Sequence, residues 1–157
     1  MQYSHQYWMS LAVEIAKKNV GADTRSAQEC EVPVAAIIIK DNKLISKTVN
    51  QTEFLLDATA HAEIQAIKEA SRVLGNWRLN GCILYTTLEP CSMCAGAILN
   101  SRISTLVFGA YDPNQGVCGS VINLFSDLNK EKQVEVIGGI LELEASELLK
   151  SFFVIKR

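Results

Sequence analysis

The chain has no long hydrophobic run. The longest fully apolar stretch near its front is Val34–Ile39, far short of the roughly 20 residues that a membrane-spanning helix needs, so no membrane span is expected. It also shows no export signal. Met1-Gln2-Tyr3-Ser4-His5 carries no charged leader and no apolar core, and a secretory leader needs both. Without one, the cytoplasm is the expected compartment, and it keeps thiols reduced. Basic excess is missing too: 15 Lys and Arg stand against 17 Asp and Glu, a formal net charge of −2. No bulk field draws nucleic acid, and any RNA contact has to come from a local patch. Repeats, low-complexity segments and composition shifts are also lacking. With 157 residues, one domain spanning 1–157 is the expectation, long enough for a real core.

Five cysteines are present. Cys91 and Cys94 have metal-ligand spacing, whereas Cys30, Cys82 and Cys118 lie in or beside apolar runs and read as buried free thiols. Apolar residues at Tyr7, Trp8, Leu11, Ala12 and Ile15 have helical spacing over Tyr7–Asn19, and His5 just ahead of them reads as a surface or capping histidine. Val20–Glu31 reads as a loop. Val32–Ile39 is β-branched and continuous, a strand buried on both faces. Asp41-Asn42 turns it into a second strand over Lys43–Val49, closing an antiparallel hairpin. Gln51–Ala60 is a connector. A helix follows over His61–Leu74, with Thr59 as its N-cap, and Gly75 breaks it. Cys82–Leu88 is a strand, and Pro90 opens the next helix, where its missing N–H costs nothing. Further strands are expected over Ile103–Gly109 and Val134–Ile137, a short helix over Val121–Leu128 and a final helix over Leu143–Ile155. This order makes an α/β protein, a three-layer α/β/α arrangement around a five-stranded mixed sheet. The helices starting at His61 and Pro90 should bring their N-termini to one sheet edge, where open α/β sheets bind ligands.

Two short pieces carry the chemistry: His61-Ala62-Glu63 and Pro90-Cys91-Ser92-Met93-Cys94. An imidazole and two thiols suit zinc, and a carboxylate left over suits a base beside a metal-activated water. His-x-Glu followed by Pro-Cys-x-x-Cys is the pattern of zinc deaminases, in which the glutamate moves protons and does not ligate. Cys91 and Cys94, at i and i+3, share a helix face, and the electropositive helix N-terminus favours thiolates. His61 and Glu63, two residues apart, would point to different sides of an ideal helix. That fits unequal roles, one ligating and the other reaching only a water. A purely structural metal clip is the competing reading, but it gains nothing from Glu63 and needs a fourth ligand. Local physics leaves the base that is deaminated open.

Several stretches close that gap by resemblance: Ser4-His5-Gln6-Tyr7-Trp8-Met9, Glu31-Val32-Pro33-Val34, Thr59-Ala60-His61-Ala62-Glu63-Ile64, the run Leu84 to Ile98, Ser101-Arg102-Ile103, Gly109-Ala110, Asp112-Pro113, Gly119-Ser120 and Phe152-Phe153. Over nearly its whole length the chain resembles the bacterial tRNA adenosine deaminases, which convert the wobble adenosine of an anticodon to inosine. Met93-Cys94-Ala95-Gly96-Ala97 is typical of that group, whereas related free-base deaminases usually differ after the second cysteine. The resemblance implies a cytidine-deaminase-like fold and one zinc ion per subunit, held by His61, Cys91 and Cys94. It also implies Glu63 as proton shuttle, Asn50 as a contact to the target base, a homodimer, and tRNA, through its anticodon stem-loop, as partner. The loop at Asp112 and the final helix with Phe153 would border the RNA. A free-nucleobase deaminase (guanine or cytosine type) and a non-catalytic zinc-bearing partner module are the alternatives. Departures from the family pattern are Ala35, Ala58, the longer Val20–Glu31 segment, Glu131-Lys132 and Val154. They touch the rim and not the metal residues.

Overall fold

The computed structural model describes residues 1–21, 31–128 and 133–155. Its elements are α1 (His5–Gly21), β1 (Ala35–Lys40), β2 (Lys43–Val49), α2 (Thr52–Leu55), α3 (Ala62–Leu74), β3 (Cys82–Leu88), α4 (Ser92–Asn100), β4 (Thr105–Ala110), α5 (Leu124–Leu128), β5 (Glu135–Ile137) and α6 (Glu142–Ile155). The strands form one mixed sheet in the order β2-β1-β3-β4-β5. β1 is antiparallel to both neighbours, and β3, β4 and β5 are mutually parallel. Four strands therefore point one way and only β1 runs back. The C-terminal ends of β2, β3 and β4 meet the start of β1 at a single edge.

The pleat explains the two layers of core. Ala36 and Ile38 of β1, Leu84 of β3 and Leu106 of β4 face α3, α4 and α5. Ile37 and Ile39, Tyr85 and Val107 are the alternate positions and face α1 and α6. β1 is thus buried on both faces, as its unbroken apolar run suggests. It begins three residues later than expected, because Pro33 has no N–H to give a ladder and the Val34 N–H closes a tight turn on the Val32 carbonyl at 2.8 Å. Asp41 and Asn42 both take left-handed conformations (φ 49° and 59°), which suits a two-residue hairpin turn. Cys82 is buried and Cys118 half-buried, both unpaired. Cys30, the segment 22–30 and Glu131-Lys132 lie outside the described residues.

α3 is set onto the sheet by small residues and two hydroxyls. Ala62, Ala66 and Ala70, spaced by one helical turn, are fully buried, so the helix backbone lies close to the strands. Ser46 Oγ donates to the Ala66 carbonyl at 2.9 Å and Thr48 Oγ1 to the Ala62 carbonyl at 2.7 Å. These bonds pin the first turns of α3 to β2 and so fix where the helix begins. α2 is a short helical turn inside the stretch read as a plain connector. No described helix is long and apolar enough to cross a membrane.

Candidate active site

The helix starts differ from the sequence expectation, and the difference assembles the site. His61 is the N-cap of α3, with extended φ/ψ of −66° and 152°. It is therefore not a residue of the first turn. Thr59 is not the cap: its hydroxyl and N–H are both spent on Asp57 Oδ1, at 2.7 and 2.8 Å. Cys91 is likewise the N-cap of α4, at φ −78° and ψ 174°, which leaves Pro90 one residue outside the helix instead of opening it. An N-cap is half out of the helix, so the helical repeat does not dictate where the His61 ring points. His61 and Glu63 can then approach one centre despite their spacing.

His61 Nδ1 lies 3.6 Å from Cys91 Sγ and 3.6 Å from Cys94 Sγ, and the three ligand atoms lie within 4.8 Å of one another. This matches a tetrahedral zinc site. Bonds of about 2.3 Å to sulfur and about 2.0–2.1 Å to nitrogen put the two ligand atoms roughly 3.5–3.6 Å apart. Among the described residues this is the one His/Cys/Asp/Glu group suited to hold a metal. His5, the other histidine, instead bonds through Nδ1 to the Tyr85 hydroxyl at 2.9 Å.

The proton balance of the group also fits a cation. The Cys94 thiol beside it holds the Cys91 thiol well below the ordinary thiol range, and His61 acts in the same direction. Cys94 is pushed up, first by the neighbouring Cys91 sulfur and then by burial. The hydrogen bond to Cys91 raises His61. As protein groups alone, the cluster holds protons where a metal needs bare donors, so metal binding must release them.

Glu63 follows one residue into α3 and is only 4% exposed. Its Oε1 accepts from Thr86 Oγ1 at 3.3 Å. Burial raises its pKa above the ordinary carboxylate value, towards the range in which an acid–base group can both hold and give up a proton near neutrality. Beside these residues opens a cavity of about 700 Å³, a size suited to a small organic ligand. Asn50 lines it just beyond the end of β2, together with Asp112, Phe153 and Val154. Asn50 is 8% exposed, and its Oδ1 is the one buried side-chain oxygen or nitrogen without a partner among the described residues.

Sequence reasoning missed three contributors. Glu89 is 2% exposed, and its carboxylate accepts from the backbone N–H groups of Asp112 (2.9 Å), Cys118 (2.9 Å) and Ser120 (3.2 Å). It also takes a short bond from the Ser120 hydroxyl. It thereby holds the loop that walls one side of the cavity. A carboxylate wedged between an apolar strand and Pro90 was its signal. Lys150 lines the cavity from α6, and counting back one turn from Phe153 would have found it. Thr86 gave no signal, because a threonine in a strand is ordinary.

Fold and site together define a nucleobase-type deaminase, and residues 3–157 match the profile of the MafB19-like deaminase family. The chain belongs, within that class, to the tRNA-specific adenosine deaminases. A tRNA-specific adenosine deaminase of Aquifex aeolicus is 45% identical to it over 148 residues, covering 94% of this chain and 93% of the relative. A solved structure from a study of A-to-I editing by tRNA:A34 deaminases at the wobble position of transfer RNA aligns with a TM-score of 0.83. It is 39% identical, and the alignment covers 92% of this chain and 100% of that one. A guanine deaminase from Nitrosomonas europaea aligns almost as well, with a TM-score of 0.82 over 98% of this chain and 87% of that one, but is only 25% identical. The backbone is thus common to deaminases of different substrates.

Proposed function

We propose that this chain is a single deaminase domain that converts adenosine to inosine at the wobble position of a tRNA anticodon, with one zinc ion per subunit held by His61, Cys91 and Cys94. The observation that carries this reading is the spacing of imidazole and two thiols at 3.6 Å beside a buried carboxylate, with His61, Glu63 and Cys91 lining a cavity of about 700 Å³. The zinc supplies a Lewis acid that makes water a nucleophile near pH 7 and stabilises charge on the attacked centre. The chain's own residues do the rest. Glu63 takes one proton from the attacking water and passes it to the purine ring nitrogen, then takes the second proton from the newly added hydroxyl and gives it to the amine as the C–N bond breaks. Water and adenosine become inosine and ammonia. Thr86 steadies the Glu63 carboxylate, and burial keeps Glu63 able to carry the proton. Asn50 offers its amide to the base, and Glu89 keeps the Asp112 loop in place beside it.

The RNA is recognised as a splayed loop by pockets, which suits a protein of formal charge −2, since single-stranded loops are read largely through stacking and base edges. A homodimer acting in the cytoplasm completes the reading, as the resemblance to the bacterial tRNA adenosine deaminases implies. The direct test gives the purified protein an anticodon stem-loop with adenosine at the wobble position, and in parallel free guanine, cytosine and adenosine. Inosine in the RNA alone is the expected result. Turnover of a free base alone would replace this reading with a free-base deaminase, and zinc binding without any turnover would leave a metal-bearing module.

A further inference from the structure

Asn50 does not stand alone. Its Nδ2 donates to Glu31 Oε2 at 3.3 Å and to Thr52 Oγ1 at 3.4 Å. Thr52 Oγ1 donates to the same Glu31 oxygen at 3.2 Å, and the Phe54 N–H donates to Glu31 Oε1 at 2.7 Å. Three of these four bonds end on Glu31, and the fourth ends on the Thr52 hydroxyl, whose own proton goes to Glu31. An ionised carboxylate only accepts, so it dictates the polarity of the whole set. The Thr52 hydroxyl must spend its proton on Glu31, and Asn50 must present its NH₂ to Glu31 and Thr52. The Asn50 oxygen is thereby turned away from the carboxylate, and it is left buried and unpaired in a residue that lines the cavity. A buried acceptor without a donor costs about 1–3 kcal/mol, and the cavity is where a donor can come from. Both Asn50 bonds are longer than the usual 2.9–3.0 Å for such pairs, which leaves the amide room to tighten onto an arriving group.

We infer that Glu31 is a positioning residue. Its charge fixes the Asn50 amide with Oδ1 free to accept a hydrogen bond from the target nucleoside. The inference rests on the proposed reading of the cavity as the adenosine site. Glu31 touches no reacting atom and acts only through Asn50. A glutamine at this position keeps the size and can still accept from the Phe54 N–H. It can also donate, so it no longer forces one orientation on Asn50.

The experiment measures kcat and KM on the wobble-adenosine stem-loop for wild type, Glu31→Gln, Asn50→Ala and the double variant, with metal content and Tm alongside. E31Q is expected to keep its metal and its Tm and to lose about tenfold or more in kcat/KM. The double variant is expected to be no slower than N50A. Wild-type activity of E31Q, or losses that multiply in the double variant, would overturn the inference. A wild type that leaves the stem-loop untouched while binding metal would overturn the underlying function reading as well. A second pair covers an E31Q that folds poorly. Asn50→Asp sets two carboxylates against each other, and E31Q in that background supplies a donor between them. Recovery of activity over N50D alone supports the inference, and no recovery overturns it.

Discussion

Glu63 is the side chain whose loss should separate metal holding from turnover. Glu63→Ala is expected to keep stoichiometric zinc by elemental analysis and to lose about 10²–10⁴-fold in kcat, the usual worth of a positioned proton carrier. His61→Ala should lose the metal and Tm together, because metal binding couples to folding, and retention of a full zinc equivalent would mean a different ligand set. The cysteines give a second expectation at this scale. With the metal stripped by a chelator at pH 7, iodoacetamide should modify Cys91 first among the described cysteines, since its thiol pKa is lowered. Cys118, pushed up to about 12 mainly by burial, and Cys82, raised by burial, should resist. Peptide mass mapping reads the order, and zinc should protect Cys91. The sign for pH follows from the same groups. Metal binding displaces protons from His61 and the Cys94 thiol, both of which are raised, so affinity should weaken as pH falls, and calorimetry in buffers of different ionisation heat should register the released protons. The grouping of His61, Cys91 and Cys94 was legible in the sequence because ligand chemistry allows few residue types. Glu31 and Thr86 were not, because an acidic loop residue and a strand threonine look alike with or without a role.

Two helix starts and one loop bring those residues together. Helix periodicity places α3 and α4 well, yet it cannot say that His61 and Cys91 are caps. That depends on the hydroxyls of β2 pinning the first turns of α3, contacts between residues 14 and 20 apart in sequence, and on the local turn in which Asp57 occupies Thr59. The 112–120 loop likewise depends on Glu89. Glu89→Ala would leave the backbone donors of Asp112, Cys118 and Ser120 without their acceptor, and hydrogen exchange should rise at these amides while the amides of β1 and β3 stay protected. Unchanged protection in the loop would show that Glu89 does not hold it. The end of β4 has its own constraint. A Cβ at Gly109 would come 2.9 Å from the Thr87 carbonyl oxygen and 3.1 Å from the Ala145 Cβ. Gly109→Ala therefore forces β4 and α6 apart, and urea unfolding should show a loss of roughly 1–3 kcal/mol, the usual cost of overpacking.

For the molecule as a whole, the layer order was readable because each strand carries its own burial pattern and only β1 reverses direction. A continuous apolar run can only sit mid-sheet, and helices following strands must cover both faces. Strand ends were off by one to three residues where proline or turn geometry intervened, as at Val32-Pro33-Val34. The shared backbone of adenosine and guanine deaminases means that the fold cannot name the substrate, so the central claim has to be tested on RNA. The most direct measurement is inosine formation in a wobble-adenosine anticodon stem-loop, with zinc content determined on the same wild-type and Glu63→Ala samples. The expected result is inosine at that one position with wild type, none above background with the variant, and equal zinc in both. Full activity in the variant, or an unmodified stem-loop with zinc-loaded wild type, would contradict it.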